Sequence, residues 1–148
     1  MTPLTPHFSL EELTASQAAA RHGMGNCPSP AIAARLRLTA SLLEKVRTLL
    51  GDRVISVSSG YRSPAVNRLV GGARNSAHTE GWAVDFNCWS FGEPLEACRA
   101  IAASDIPFDQ LIEEGTWIHI SFAPALRRQV LTKAPGGGYI VGLRAGKD

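Results

Sequence analysis

Two strand-forming runs, QLIEE (110–114) and WIHISF (117–122), are separated only by Gly115 and Thr116. Two residues close a hairpin, whereas parallel neighbours need a crossover of a dozen or more. The late part of the sheet must therefore be antiparallel, which argues against a doubly wound α/β fold. The order read along the chain is helix, helix, strand, helix, strand, helix, strand, strand. It predicts an α+β fold, with helices packed on one side of a mainly antiparallel sheet.

The elements upstream follow from local signals. Phe8 precedes Ser9, and Glu12 follows three residues later, a capping-box pattern that opens a short helix with Leu10 and Leu13 facing inward. Ile32, Leu36, Leu43, Val46 and Leu50 recur mostly every three or four residues and predict a long helix over 31–50, ending at Gly51. Val54, Ile55 and Val57 read as a strand, closed by the turn at SSG and Pro64. A short helix from Pro64 to Val70, a Gly-rich loop, a strand in WAVDFNCW (82–89) and a helix from Pro94 to Ala103 follow. Near the end, Tyr139 to Leu143 suits an edge strand inside a tail of otherwise flexible composition. No repeat or linker divides the chain, so one domain over 1–148 is expected, with a core at about 7–123 and a C-terminal tail at 124–148.

The chemistry starts from Asp85. It lies in the apolar run Ala83, Val84, Phe86, where an unpaired carboxylate would lose several kcal/mol of hydration and so must meet a cation, a donor set or a proton. His78 lies seven positions earlier in a Gly/Ser/Asn-rich loop, and His119 sits on one strand face with Trp117 and Ser121. Each histidine alone suits a structural hydrogen bond. Together with Asp85 they make a two-histidine, one-carboxylate set suited to a catalytic zinc with a fourth position for water. Such a site needs a nearby base and a polarising cation to hydrolyse an amide. Glu113 and Glu114 precede His119 across the short turn, and either suits the base or an exposed strand end. Arg62 follows the first predicted strand, placed either to stabilise an oxyanion or carboxylate or to pair with loop backbone. Tyr61, Trp82 and Trp117 suit either a cleft wall or the core.

Composition excludes several alternatives. Fifteen Lys and Arg against thirteen Asp and Glu leave a net charge of +2, too small to call for nucleic acid. Three cysteines without a CxxC pair argue against a cysteine zinc site and suit reduced synthesis. The N-terminus has no basic segment followed by an apolar core, and no stretch approaches the ~18 apolar residues of a membrane span, so cytoplasmic synthesis without a signal peptide is expected.

The blocks SGYRSPAVN, GGARNSAHTEGWAVDF and FDQLIEEGTWIHISF resemble the zinc D-alanyl-D-alanine carboxypeptidase family, which shares its fold with the hedgehog signalling domain. The likeness covers roughly residues 7–123 and is greatest to the small phage and prophage branch, where HFSLEEL also occurs. It implies a peptidase that acts on peptidoglycan stem peptides or cross-links, either a D,D-carboxypeptidase or an endopeptidase of endolysin type, reaching the wall through a holin-made lesion. It implies one Zn(2+) per chain on His78, Asp85 and His119, and a substrate-contacting Arg62. It also implies a supporting Ser76, with the small Gly81 and Ala83 close behind the metal. Better-known members carry the catalytic carboxylate three residues before the last histidine, where this chain has Thr116; Glu114, then Glu113, is the natural substitute. The expected partner is a peptidoglycan peptide, with no nucleic acid, no membrane and a monomeric chain. The alternatives are a non-catalytic, zinc-containing hedgehog-like binding domain, and a virion-associated wall hydrolase.

Overall fold

Ser9 accepts from the backbone N–H of Glu12 at 3.1 Å while the Glu12 carboxylate accepts from the Ser9 N–H at 3.4 Å, so the anticipated capping box forms. In the computed structural model, which describes residues 1–146, it opens α1 (Leu10–Thr14), behind a small hairpin of β1 (Pro3–Thr5) and β2 (Phe8–Ser9). The helical region then breaks at Ala15, where the backbone is extended, and Ser16 caps a separate α2 (Gln17–Arg21). The long helix runs as α3 (Pro30–Leu49), with Ser29 as its cap and Pro30 at the first turn.

The remaining elements are β3 (Ser56–Ser59), α4 (Pro64–Leu69), β4 (Ala83–Asn87), α5 (Pro94–Ala102), β5 (Gln110–Glu113), β6 (Ile118–Ser121), β7 (Gln129–Lys133) and β8 (Tyr139–Val141). The result is a mixed α+β fold with two sheets and five helices among the described residues. The large sheet runs β3-β4-β6-β5-β7-β8 and is antiparallel except between β5 and β7.

Three differences from the sequence reading have physical causes. The first strand begins at Ser56, not Val54, because the chain leaves α3 through a left-handed Asp52 (φ 58°) and Val54 remains 72% exposed. β7 lies in the segment assigned to the tail. Its approach passes through Leu126 and Arg128 with positive φ, a turn that non-glycine residues seldom make and that the sequence does not advertise. Arg127 holds this turn through paired guanidinium bonds to Asp109, both 2.9 Å, and Arg128 lies 4.4 Å from the centre of the Phe108 ring. The N-terminal hairpin was also unforeseen, its strands being only three and two residues long. The anticipated edge strand at Tyr139 forms, whereas residues 147 and 148 of the expected domain lie outside the described residues.

Alternation divides the large sheet into two chemically distinct faces. Val84, Phe86, Leu111, Ile118 and Ile120 share one core cluster with Leu36, Ala40, Leu43 and Val46 of α3 and with Ala97, Cys98 and Ile101 of α5. On the opposite face Asp85 pairs with His119, and His119 pairs with Ile112, in register across β4, β6 and β5. All three cysteines are free, Cys27 exposed and the other two buried. No helix of the described residues is long and apolar enough to cross a membrane.

Candidate metal centre

The two candidate ligands on the sheet are set by its register. Cross-strand pairing places Asp85 and His119 side by side, and His119 Nδ1 lies 2.9 Å from Asp85 Oδ1. His78 comes from the loop between α4 and β4. Its Nε2 lies 3.2 Å from the same carboxylate oxygen, and its ring meets the His119 ring edge-on with centroids 5.2 Å apart. One ligand atom from each of the three residues lies within 4.8 Å of the others, so the three converge as expected from the sequence.

The loop is held so that His78 can face inward. His78 is 2% exposed, and its Nδ1 lies 2.8 Å from the Gly60 carbonyl. A carbonyl only accepts, so Nδ1 carries a proton and Nε2 is the nitrogen turned toward Asp85. At 3.2 Å, Nε2 and the carboxylate oxygen share either a proton or a cation between them. The donor set therefore fits a divalent cation, and its nitrogen and oxygen atoms are those that zinc takes; a tetrahedral zinc site separates its ligand atoms by roughly 3.3 Å. Burial opposes ionisation of Asp85, yet its hydrogen bonds with His119 and His78 hold the carboxyl well below the usual carboxylate range.

Backbone contacts build the rest. Gly60 approaches the end of α1 closely: Tyr61 N–H donates to the Leu13 carbonyl at 2.8 Å, and a Cβ on Gly60 would lie 2.9 Å from the Leu13 carbonyl carbon and closer still to its oxygen. Ser76 accepts from the His78 N–H at 3.2 Å and from Arg62 at 3.5 Å, tying both residues to one hydroxyl. Gly81 adopts φ +80° and its carbonyl accepts from Thr39 at 2.7 Å, which seats the loop against α3 rather than against the ligands themselves. Ala83 is fully buried at the start of β4.

These residues open onto a cleft of about 850 Å³, lined by Arg62, Ser76, Trp82, Glu114, Trp117 and the three converging residues, among others. Arg62 is half-buried and its Nε has no hydrogen-bond partner among the described residues. Burial lowers the guanidinium's proton affinity, partly offset by Asp85. The two candidate glutamates separate by face. Glu114 lines the cleft, whereas Glu113, 2% exposed, lies with Leu111 on the helix side and accepts from the Gly115 N–H; burial pushes the neighbouring Cys98 thiol up, and the Glu113 charge adds to it. Tyr61 is also not brought to the cleft: it is 6% exposed and packs in the core cluster, which corrects the expectation of a substrate contact. Thr116 is exposed on the turn.

Some contributors were not visible in the sequence. Gly60 reads only as a turn residue, because what it does depends on the helix end behind it. Lys133 and Tyr139 line the cleft from β7 and β8, and the Tyr139 hydroxyl donates to Glu114 Oε1 at 3.2 Å. A strand alternation at 139–143 was the only signal for the latter.

A family model described as Peptidase M15 matches residues 6–121. Over 73 residues the chain is 37% identical to the zinc D-Ala-D-Ala carboxypeptidase of Streptomyces albus G, a stretch that spans 49% of this chain and 28% of that protein. The matched segment runs from β2 through β6 and includes all three converging residues, and the chain belongs to the Peptidase M15 family.

Proposed function

We propose that the protein is a zinc-dependent peptidase that hydrolyses amide bonds in peptidoglycan stem peptides or their cross-links, as a D,D-carboxypeptidase or an endopeptidase of endolysin type. The observation that carries this reading is the fixed His78 Nε2 facing the Asp85 carboxylate, with His119 beside it, at the floor of an open cleft. The relative's name supports zinc and a D-Ala-D-Ala substrate. One zinc per chain would be held by His78 Nε2, the Asp85 carboxylate and His119 Nδ1; when bound it supplies Lewis acidity toward water and a carbonyl.

The chain's own groups do the rest. Arg62 has an unsatisfied, buried N–H in the cleft, and in the substrate complex its guanidinium meets the developing oxyanion or a free carboxylate of the stem. Glu114 takes a proton from the attacking water and delivers it to the leaving amine. Ser76 keeps Arg62 and the His78 loop in one arrangement, and Trp117 and Trp82 wall the cleft. The setting we infer is lysis of a bacterial wall by a phage or prophage product, acting as a monomer without nucleic acid or membrane partners.

Zinc content of the purified protein and mass spectrometry of muropeptides after digestion test the reading together. One equivalent of zinc and release of a free amine at a single bond type is the expected result. Glu114→Gln is expected to retain zinc and lose most turnover. Bound zinc with no amine release from any muropeptide would instead make this a binding domain of the same fold.

A further inference from the structure

β7 and β8 lie beyond residue 121, outside the segment that matches the family, yet they complete the cleft wall next to Glu114. Their hairpin is firmly built. Thr132 is fully buried, its hydroxyl donates to the Gly142 carbonyl at 2.7 Å and accepts from Arg144 N–H at 3.3 Å, while Ala134 N–H donates to Gly138 at 3.0 Å. Lys133 and Tyr139 stand directly opposite each other in this register, so both side chains project from one face. Lys133 Nζ lies 5.6 Å from the centre of the Trp117 ring, and the Tyr139 hydroxyl reaches Glu114.

We propose that Tyr139 is a positioning residue for the general base, its hydroxyl holding the Glu114 carboxylate in the cleft through the 3.2 Å bond while the hairpin fixes the phenol. The inference rests on the reading of Glu114 as the base. Without a partner, a glutamate just past the end of β5 and next to Gly115 (φ +98°) has several rotamers available, and only some point its oxygens into the cleft. A phenol donor selects among them by binding Oε1 and leaving Oε2 to accept the water's proton. Burial and the adjoining Glu114 charge both raise the Tyr139 phenol above its ordinary value, so it stays a protonated donor at neutral pH. The ring is 53% exposed, so it lies where a bound stem peptide would cover it and dry the hydrogen bond.

The test is a double-mutant cycle of Tyr139→Phe and Glu114→Gln, with kcat and KM measured on soluble muropeptides and zinc content and thermal stability measured for each variant. Tyr139→Phe keeps the ring and is expected to lower kcat about three- to tenfold with KM within about twofold and zinc unchanged. In the Glu114→Gln background the same change is expected to have no further effect on residual turnover. A Tyr139→Phe enzyme with wild-type kcat, one that changes only KM, or one that lowers Glu114→Gln by an equal factor would overturn the positioning role while leaving Glu114 as base. Full activity of Glu114→Gln would overturn the reading of the base itself, and the positioning role with it.

Discussion

Gly60 holds the His78 side of the candidate metal centre from a distance, and substituting it by alanine isolates that control. The new Cβ would lie 2.9 Å from the Leu13 carbonyl carbon and closer to its oxygen, and because both partners are backbone no rotamer change relieves the clash. The segment must move away from α1. Two hydrogen bonds flank the clash, Tyr61 N–H to Leu13 and His78 to the Gly60 carbonyl, both at 2.8 Å. Loosening the first costs about 1 kcal/mol, and leaving the buried His78 N–H poorly satisfied costs about 1–3 kcal/mol, so the metal-free protein should lose roughly 2–4 kcal/mol. At about 3 °C per kcal/mol for a chain of this size, melting falls by roughly 6–12 °C. Once the imidazole is no longer held, zinc affinity is expected to drop about 10- to 100-fold. Thermal unfolding in chelator measures the first quantity, and competition with a chromophoric chelator measures the second. A Gly60→Ala protein with unchanged melting and unchanged zinc affinity would refute the argument that the end of α1 sets the histidine.

Other consequences are as direct. Saturating zinc at about a hundredfold over its dissociation constant should raise stability by about 2.7 kcal/mol, and Asp85→Asn should abolish that increment in the same melting assay. Hydrogen bonds from Arg127, opposed by burial, hold the Asp109 carboxyl below its usual range. Its contribution is therefore complete above the ordinary carboxylate pKa and lost as pH falls below it. Urea unfolding of metal-free protein at pH 6 and pH 3 should show up to about 1 kcal/mol less acid loss in Asp109→Asn, after allowance for the exposed Arg127. Gly81→Ala meets Ile32 Cγ2 at 3.1 Å in a left-handed backbone (φ +80°), and should destabilise by about 1–2 kcal/mol in the same urea experiment.

What the sequence disclosed depended on how local each cause was. The capping box at Ser9 and the period of α3 are local, and both formed close to where they were expected. Asp85 was legible because a charge in an apolar strand demands an explanation, and His119 because alternation placed it with polar neighbours. The choice between Glu113 and Glu114 was not legible. Leu111 and Ile112 are both apolar, so β5 shows no polarity difference to tell its faces apart, and only pairing with β6 turns Glu114 toward the cleft. Tyr61 and Arg62 are adjacent on one turn, and nothing in their types says which one enters the core. Gly60 and β7 were hidden because their causes are distant: a helix end 47 positions earlier in one case, a parallel partner in the other.

The pairing of Asp85 with His119 also gives the sheet a chemical proofreader. A one-residue slip of β6 along β4 would set Ile118 or Ile120 against the aspartate and turn the histidine into the apolar core, a state that offers zinc no second nitrogen from the sheet. Only the correct alignment rewards the ion. On the proposed reading, metal uptake during folding would thus favour this strand register, and bound zinc would report a correctly assembled sheet.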